Sequence, residues 1–143
     1  MTRVDFYVLE NPTPAGAPGL ACRLAEKAYD EGHRIYIHVE DQQQAEALDA
    51  LLWTFRAGSF IPHALTGEQG DEAPVHIGFG EGPAEAHDDV LINLTAQVPL
   101  FFSRFARVAE LVDADEAARL KARERFRFYR ERGYTLDTHN IAG

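Results

Sequence analysis

Seven of the chain's 14 basic residues fall between positions 119 and 132: Arg119, Lys121, Arg123, Arg125, Arg127, Arg130 and Arg132, against only Glu124 and Glu131. At about 100° per residue, Arg119, Arg123, Arg127 and Arg130 share one stripe of a helix, with Phe126 beside it. Guanidinium forks bind carboxylates in bidentate fashion, and an aromatic ring accepts an apolar group. The stripe therefore suits an acidic peptide end with an apolar portion, or single-stranded nucleic acid. A solvated basic face that balances acidity elsewhere is the other reading of the same pattern. On this wheel Leu120 and Phe128 point away from the stripe, toward a core.

The rest of the chain has the opposite sign. The protein has 143 residues and a formal net charge of −9, from 23 acidic and 14 basic residues. Residues 119–132 carry +5 and residues 1–118 carry −13, so half of the positive charge is concentrated in one short segment of an acidic protein. That balance argues against a chain built to wrap nucleic acid directly, which needs many phosphate contacts. The asymmetry marks an interaction surface.

Other chemistry is weakly signalled. His33, His38, His63, His76, His87 and His139 show no HxH or HxxxH pairing, and the one cysteine, Cys22, excludes a CxxC site, so no metal is expected. Cys22 falls on the inward side of a helix, where a thiol behaves as a small hydrophobe. Asp88-Asp89 reads as a solvated turn before a strand. The loop Asn11-Pro12-Thr13-Pro14-Ala15-Gly16-Ala17-Pro18-Gly19 has no lysine and three residues without an amide hydrogen. Gly78-Phe79-Gly80-Glu81-Gly82-Pro83 carries a repelling Glu81. Neither is a phosphate cradle, and no cofactor is expected. Trp53, the sole tryptophan, sits at a helix edge near Phe60-Ile61-Pro62. It either closes the core or forms an apolar patch for a protein partner.

The elements that must position these residues follow from periodicity. Strands are expected at 4–9, 34–39, 75–79 and 90–94, each nearly continuous in apolar residues. Helices are expected through Leu20–Ala28 with Gly32 beyond, and through Ala45–Phe55 after an Asp41 cap. A third should open at Pro99 and run through Phe101, Phe102, Phe105 and Val108. The basic helix should follow, capped by Asp113 or Asp115 and stopped at Gly133. Thr66–Ala73 reads as a loop. The order β-α-β-α-β-β-α-α predicts a single α/β domain over residues 1–143. It would be a Rossmann-like three-layer fold with a mostly parallel sheet and no functional nucleotide-binding loop. No apolar run reaches 18 residues and the N-terminus lacks a signal core, so a cytoplasmic protein is expected.

Several blocks converge on one family. They are Phe6-Tyr7-Val8-Leu9; Ala21-Cys22-Arg23-Leu24-Ala25-Glu26-Lys27-Ala28-Tyr29 with Gly32-His33-Arg34; Leu48-Asp49-Ala50-Leu51-Leu52-Trp53-Thr54-Phe55; Ser59-Phe60-Ile61-Pro62-His63; Leu91-Ile92-Asn93-Leu94; and Ala122-Arg123-Glu124-Arg125-Phe126-Arg127-Phe128-Tyr129-Arg130 with Gly133-Tyr134. Together they resemble the chi subunit of bacterial DNA polymerase III holoenzyme, nearly end to end and in the same order.

The resemblance implies a non-catalytic adaptor within a DNA-directed DNA polymerase holoenzyme. Chi pairs with the psi subunit of the clamp loader and, on a separate surface, binds the acidic, apolar C-terminal tail of single-stranded DNA-binding protein. Carried over by residue, the tail surface maps to Val112, Arg123, Phe126, Arg127 and Thr138. The aromatic position is often tyrosine in the family and the next one often lysine, so here a phenol is lost and a guanidinium fork gained. The psi surface maps to Trp53, Phe60, Ile61, Pro62 and His63. From the residues alone, two alternatives stand beside this reading: a small nucleotide-dependent enzyme on a Rossmann-like sheet, and direct single-stranded DNA binding by the basic helix.

Overall fold

Short strands with no polar face must be covered on both sides, and here they are. The computed structural model describes residues 1–65, 73–83 and 89–142. Its strands are β1 (Arg3–Leu9), β2 (Ile35–His38), β3 (His63–Leu65), β4 (Val75–Gly78), β5 (Val90–Asn93), β6 (Arg107–Val112) and β7 (Thr135–Ile141). The helices are α1 (Gly16–Asp30), α2 (Gln42–Thr54) and α3 (Glu116–Glu131), with a single 3-10 turn at Phe102–Arg104. All seven strands form one parallel sheet in the order β3-β4-β2-β5-β6-β1-β7.

Alternation along each strand divides the core in two. Ile35, Ile37, Ala109 and Leu111 face α1 and α2, against Leu20, Ala21, Cys22, Leu48 and Leu52. Tyr36, Val108 and Val112 face the other way, onto Phe101, Phe102, Phe105, Ala122 and Tyr129. The result is the three-layer, Rossmann-like α/β arrangement expected from the sequence, with a sheet that is wholly parallel.

Local signals explain most boundaries. The Asp41 carboxylate accepts the Gln44 amide at 2.9 Å and the Asp115 carboxylate accepts the Ala118 amide at 2.7 Å, each an N-cap worth about 1 kcal/mol. Asp113, the other expected cap of the basic helix, reaches α1 instead and accepts the Ala17 amide at 3.2 Å. The expected loop through Gly19 ends early, because α1 already begins at Gly16.

Several expectations are corrected. The helix expected from Pro99 through Val108 is only the 3-10 turn, and residues 107–112 form β6. The phenylalanines that mimic a helical stripe instead fill the cluster beneath α3, with Phe102 against Tyr129 at 5.1 Å. The segment after Gly133 is β7, an edge strand on β1, and His63–Leu65 forms β3; no strand was expected at either place. Leu120, placed toward the core by the helical wheel, is exposed. Most of the expected loop at 66–73, with His87 and Asp88, lies outside the described residues.

Two buried carboxylates tie elements together: Glu110 joins α3 to the sheet, and Asp5 joins neighbouring strands within it. Glu110, in the middle of β6, is fully buried. Its Oε1 accepts Arg125 Nε and Asn93 Nδ2, both at 2.9 Å, and its Oε2 accepts the Tyr129 hydroxyl at 2.7 Å. Burial pushes its carboxyl upward, opposed by the Arg125 charge and these bonds. Asp5 on β1 accepts His139 Nε2 at 3.0 Å and Arg107 Nη2 at 3.3 Å, with Arg3 Nε at 3.5 Å. Burial would raise the Asp5 carboxyl, but the bonds from His139 and Arg107 and the Arg3 charge outweigh it and hold the carboxyl below its usual range.

Two outcomes follow from these groups. Glu110→Ala leaves the Arg125 charge buried without a partner, at a cost of about 3–5 kcal/mol in urea denaturation. Adding Arg125→Met restores part of that loss, and a single-variant cost below about 1 kcal/mol would refute the anchoring role. The stabilisation from ionised Asp5 is complete above its unfolded value near 3.8 and is lost as pH falls through the lower folded value. Asp5→Asn therefore flattens the acid side of a stability profile measured between about pH 6 and pH 3.

Candidate functional site

The rotational setting of α3 is fixed by Ala122, Arg125 and Tyr129, which it buries against the sheet. Arg119, Arg123 and Phe126 then fall along the side of the helix that overlooks β1 and β7. The strand registers set Phe6 opposite Thr138, and Val8 opposite both Val112 and Asn140. These residues and the helix enclose an open cleft of about 500 Å³. Small Ala122 lets the helix approach the sheet, and Phe126 packs on Phe6 with ring centres 5.3 Å apart.

Four of the five residues mapped to the tail surface, Val112, Arg123, Phe126 and Thr138, line this one cleft. Val112 is nearly buried and forms its floor. Arg127 is exposed on the adjoining helix surface and does not line it. Among the described residues, neither Arg123 nor Arg127 makes an ion pair, so both guanidinium groups face solvent unneutralised. Arg130 lies over the Phe126 ring at 6.0 Å. Arg119 enters the cleft wall, donates from Nη2 to the carbonyls of Leu9 and Glu10 at 3.4 Å, and keeps a buried Nε without a partner. Arg125 is turned inward and neutralised by Glu110, so the free charge of the basic segment is smaller than its sequence count. Only Glu110, distant in sequence, reveals that difference.

The second candidate surface lies beside β3, at the far edge of the sheet from β7. Trp53 is 47% exposed and Phe60 is 70% exposed, with ring centres 5.3 Å apart. His63 does not share that exposure: its ring is buried beneath Trp53 at 4.4 Å. Its Nδ1 faces the Ile61 carbonyl at 2.7 Å and its Nε2 faces the Asp49 carboxylate at 3.1 Å. Ile61 belongs to the core and Pro62 is half-buried. Of the five residues mapped here, Trp53 and Phe60 present the apolar surface, while Ile61 and His63 hold it from below.

The usual phosphate seat of such a sheet is differently occupied. In a Rossmann-like sheet the N-terminus of the first helix receives phosphate. Here the protein's own Asp113 carboxylate sits there, so close to Gly16 that a Cβ at that position would meet Oδ2 at 2.9 Å. Burial pushes the Cys22 thiol up to about 12, which leaves little thiolate for nucleophilic chemistry. Among the described residues, no three His, Cys, Asp or Glu side chains cluster to hold a metal, and no helix is long and apolar enough to cross a membrane.

The comparison with known proteins agrees with the blocks read from the sequence. The family model for the DNA polymerase III chi subunit, HolC, matches residues 1–137. This chain belongs to the DNA polymerase III chi subunit family. The DNA polymerase III subunit chi of Pseudomonas aeruginosa is 51% identical over 141 residues, covering 99% of this chain and 98% of the relative. That of Escherichia coli is 34% identical over 143 residues, covering 96% and 97%. That of Haemophilus influenzae is 31% identical over 138 residues, covering 96% of each. Among solved structures, T4 UvsW matches with a TM-score of 0.71 at 9% identity, over 99% of this chain and 42% of the other, a likeness of fold alone.

Proposed function

We propose that this chain is a non-catalytic accessory subunit of DNA polymerase III. In this role it acts in DNA replication in the cytoplasm and joins the psi subunit of the clamp loader to the acidic C-terminal tail of single-stranded DNA-binding protein. The observation that carries the reading is the separation of two chemically different surfaces at opposite edges of one sheet. Unpaired Arg123 stands with Phe126 at the cleft beside β7, with unpaired Arg127 on the adjoining helix surface, and exposed Trp53 and Phe60 stand beside β3. The first suits a ligand with carboxylates and an apolar side chain: the guanidinium groups take the acids, and Phe126, with Val112 beneath and Thr138 opposite, takes the apolar part. The second suits the apolar face of a protein partner.

The chain would reach single-stranded DNA indirectly, through the protein that coats it, since the remaining surface is acidic and repels phosphate. The nucleotide-enzyme alternative is disfavoured by Asp113 at the N-terminus of α1.

The test is a double dissociation. Arg123→Glu and Arg127→Glu each weaken binding of a tail peptide by about tenfold or more in fluorescence polarisation, because a charge-assisted hydrogen bond contributes about 1.5–3 kcal/mol. Added salt weakens the wild-type complex in the same direction. Both variants keep psi in a pulldown, whereas Trp53→Ala with Phe60→Ala loses psi and keeps the tail. Unchanged tail affinity in both charge-reversed variants would remove the assignment of that site.

A further inference from the structure

The strand that walls the cleft is itself unpaired on its outer side. β7 lies at the end of the sheet and pairs only with β1 among the described residues. In a parallel ladder, alternate residues point their amide and carbonyl groups to opposite neighbours. The Glu10 amide donates to the Ile141 carbonyl at 2.9 Å, so Ile141, and with it His139 and Asp137, bonds inward to β1. Leu136, Thr138 and Asn140 therefore present their N–H and C=O groups outward. Thr138 and Asn140 also turn their side chains into the cleft beneath α3.

Exposed edges are usually blunted by shortness, proline, lysine or a bulge. The opposite edge follows that rule, since β3 has only three residues. β7 does not. It has seven residues, Thr135–Ile141, contains neither proline nor lysine, and keeps an unbroken register with β1. Its charged and ionisable side chains are tied down on the face away from the cleft: Arg3 Nη2 donates to the Asp137 carboxylate at 2.7 Å, and His139 is bound to Asp5. The one carboxylate on β7, Asp137, is paired with Arg3 on the far face, and although Glu10 lines the end of the cleft, unpaired Arg123 in its wall and Arg127 on the adjoining helix surface attract an acidic chain.

We infer that the acidic tail of single-stranded DNA-binding protein binds as an added strand on the outer edge of β7. Its main chain pairs with Leu136, Thr138 and Asn140, and its alternate side chains enter the cleft between Phe126 and Thr138. This inference rests on the tail-binding reading above and adds how the tail is held. Main-chain pairing supplies affinity and register, and the arginines with Phe126 supply selectivity, the usual division in strand addition.

The probe is a synthetic peptide of that tail, titrated into the full chain. Amide hydrogen exchange read by NMR should slow for Leu136, Thr138 and Asn140 on saturation, by about tenfold or more, while the inward amides of Asp137 and His139 change little. Peptides N-methylated at alternate positions should split into two sets. One register of methylation lowers affinity by about tenfold or more and the other leaves it close to the unmodified peptide. If the unmodified peptide binds but no register of methylation matters and the three amides stay unprotected, strand addition is overturned and side-chain docking stands. If the unmodified peptide does not bind at all, the tail-binding reading falls, and this inference with it.

Discussion

A carboxylate with no access to water needs donors, and in this protein three donors arrive from two separate parts of the chain. Glu110 sits in the middle of β6, and its oxygens are satisfied by Asn93 at the end of β5 and by Arg125 and Tyr129 on α3. Arg125 extends the network by donating from Nη1 to the Ala96 carbonyl at 3.1 Å. An apolar packing of similar volume could hold a helix on a sheet as well or better. What the charged network adds is uniqueness, because α3 has one rotation and one height at which both Arg125 and Tyr129 reach the same carboxylate. With that rotation set, Ala122 is the residue pressed onto the sheet, Phe126 is half-buried against Phe6, and Arg123 and Arg127 are left facing outward.

The two surfaces of interest are consequences of the same frame. A parallel sheet of seven strands has two edges, and here they differ in kind. One ends in three residues next to a ring pair held up by a buried histidine. The other ends in seven residues next to a basic helix, in a body that is otherwise acidic. Opposite placement keeps the two chemistries apart. The N-terminus of α1, the usual seat of a phosphate in such sheets, is instead a joint between α1 and the end of β6, made by Asp113.

Much of this could be read from residue order. The apolar runs at β1, β2, β4 and β5 have no alternative as solvated structure, and the caps at Asp41 and Asp115 mark their helices by local chemistry alone. The blocks around Trp53 and around Arg123–Arg130 pointed to the chi family, and the arginine stripe with Phe126 was visible at helical spacing. Besides the three-residue β3, two strands were not legible. In β6, Glu110 interrupts an apolar run, and the phenylalanines before it recur at three- and four-residue spacing, so the segment imitates an amphipathic helix. Its strand state depends on donors 15 and 19 residues further on. β7 is polar along most of its length and has no apolar face to advertise it. It is held by pairing with β1 and by Asp5 and Arg3, 134 residues away from His139 and Asp137 respectively.

By itself, then, the sequence determined the three helices and the apolar strands β1, β2, β4 and β5, the concentration of positive charge, and the family, because each is a property of neighbours along the chain. Only the tertiary structure decided which of those charges are available. Arg125 and Arg123 are alike in type and two positions apart, yet one is cancelled in the interior and the other stands over a cleft. The difference is made by Glu110, a buried carboxylate that must be neutralised where it lies and that selects which side of the helix will do it.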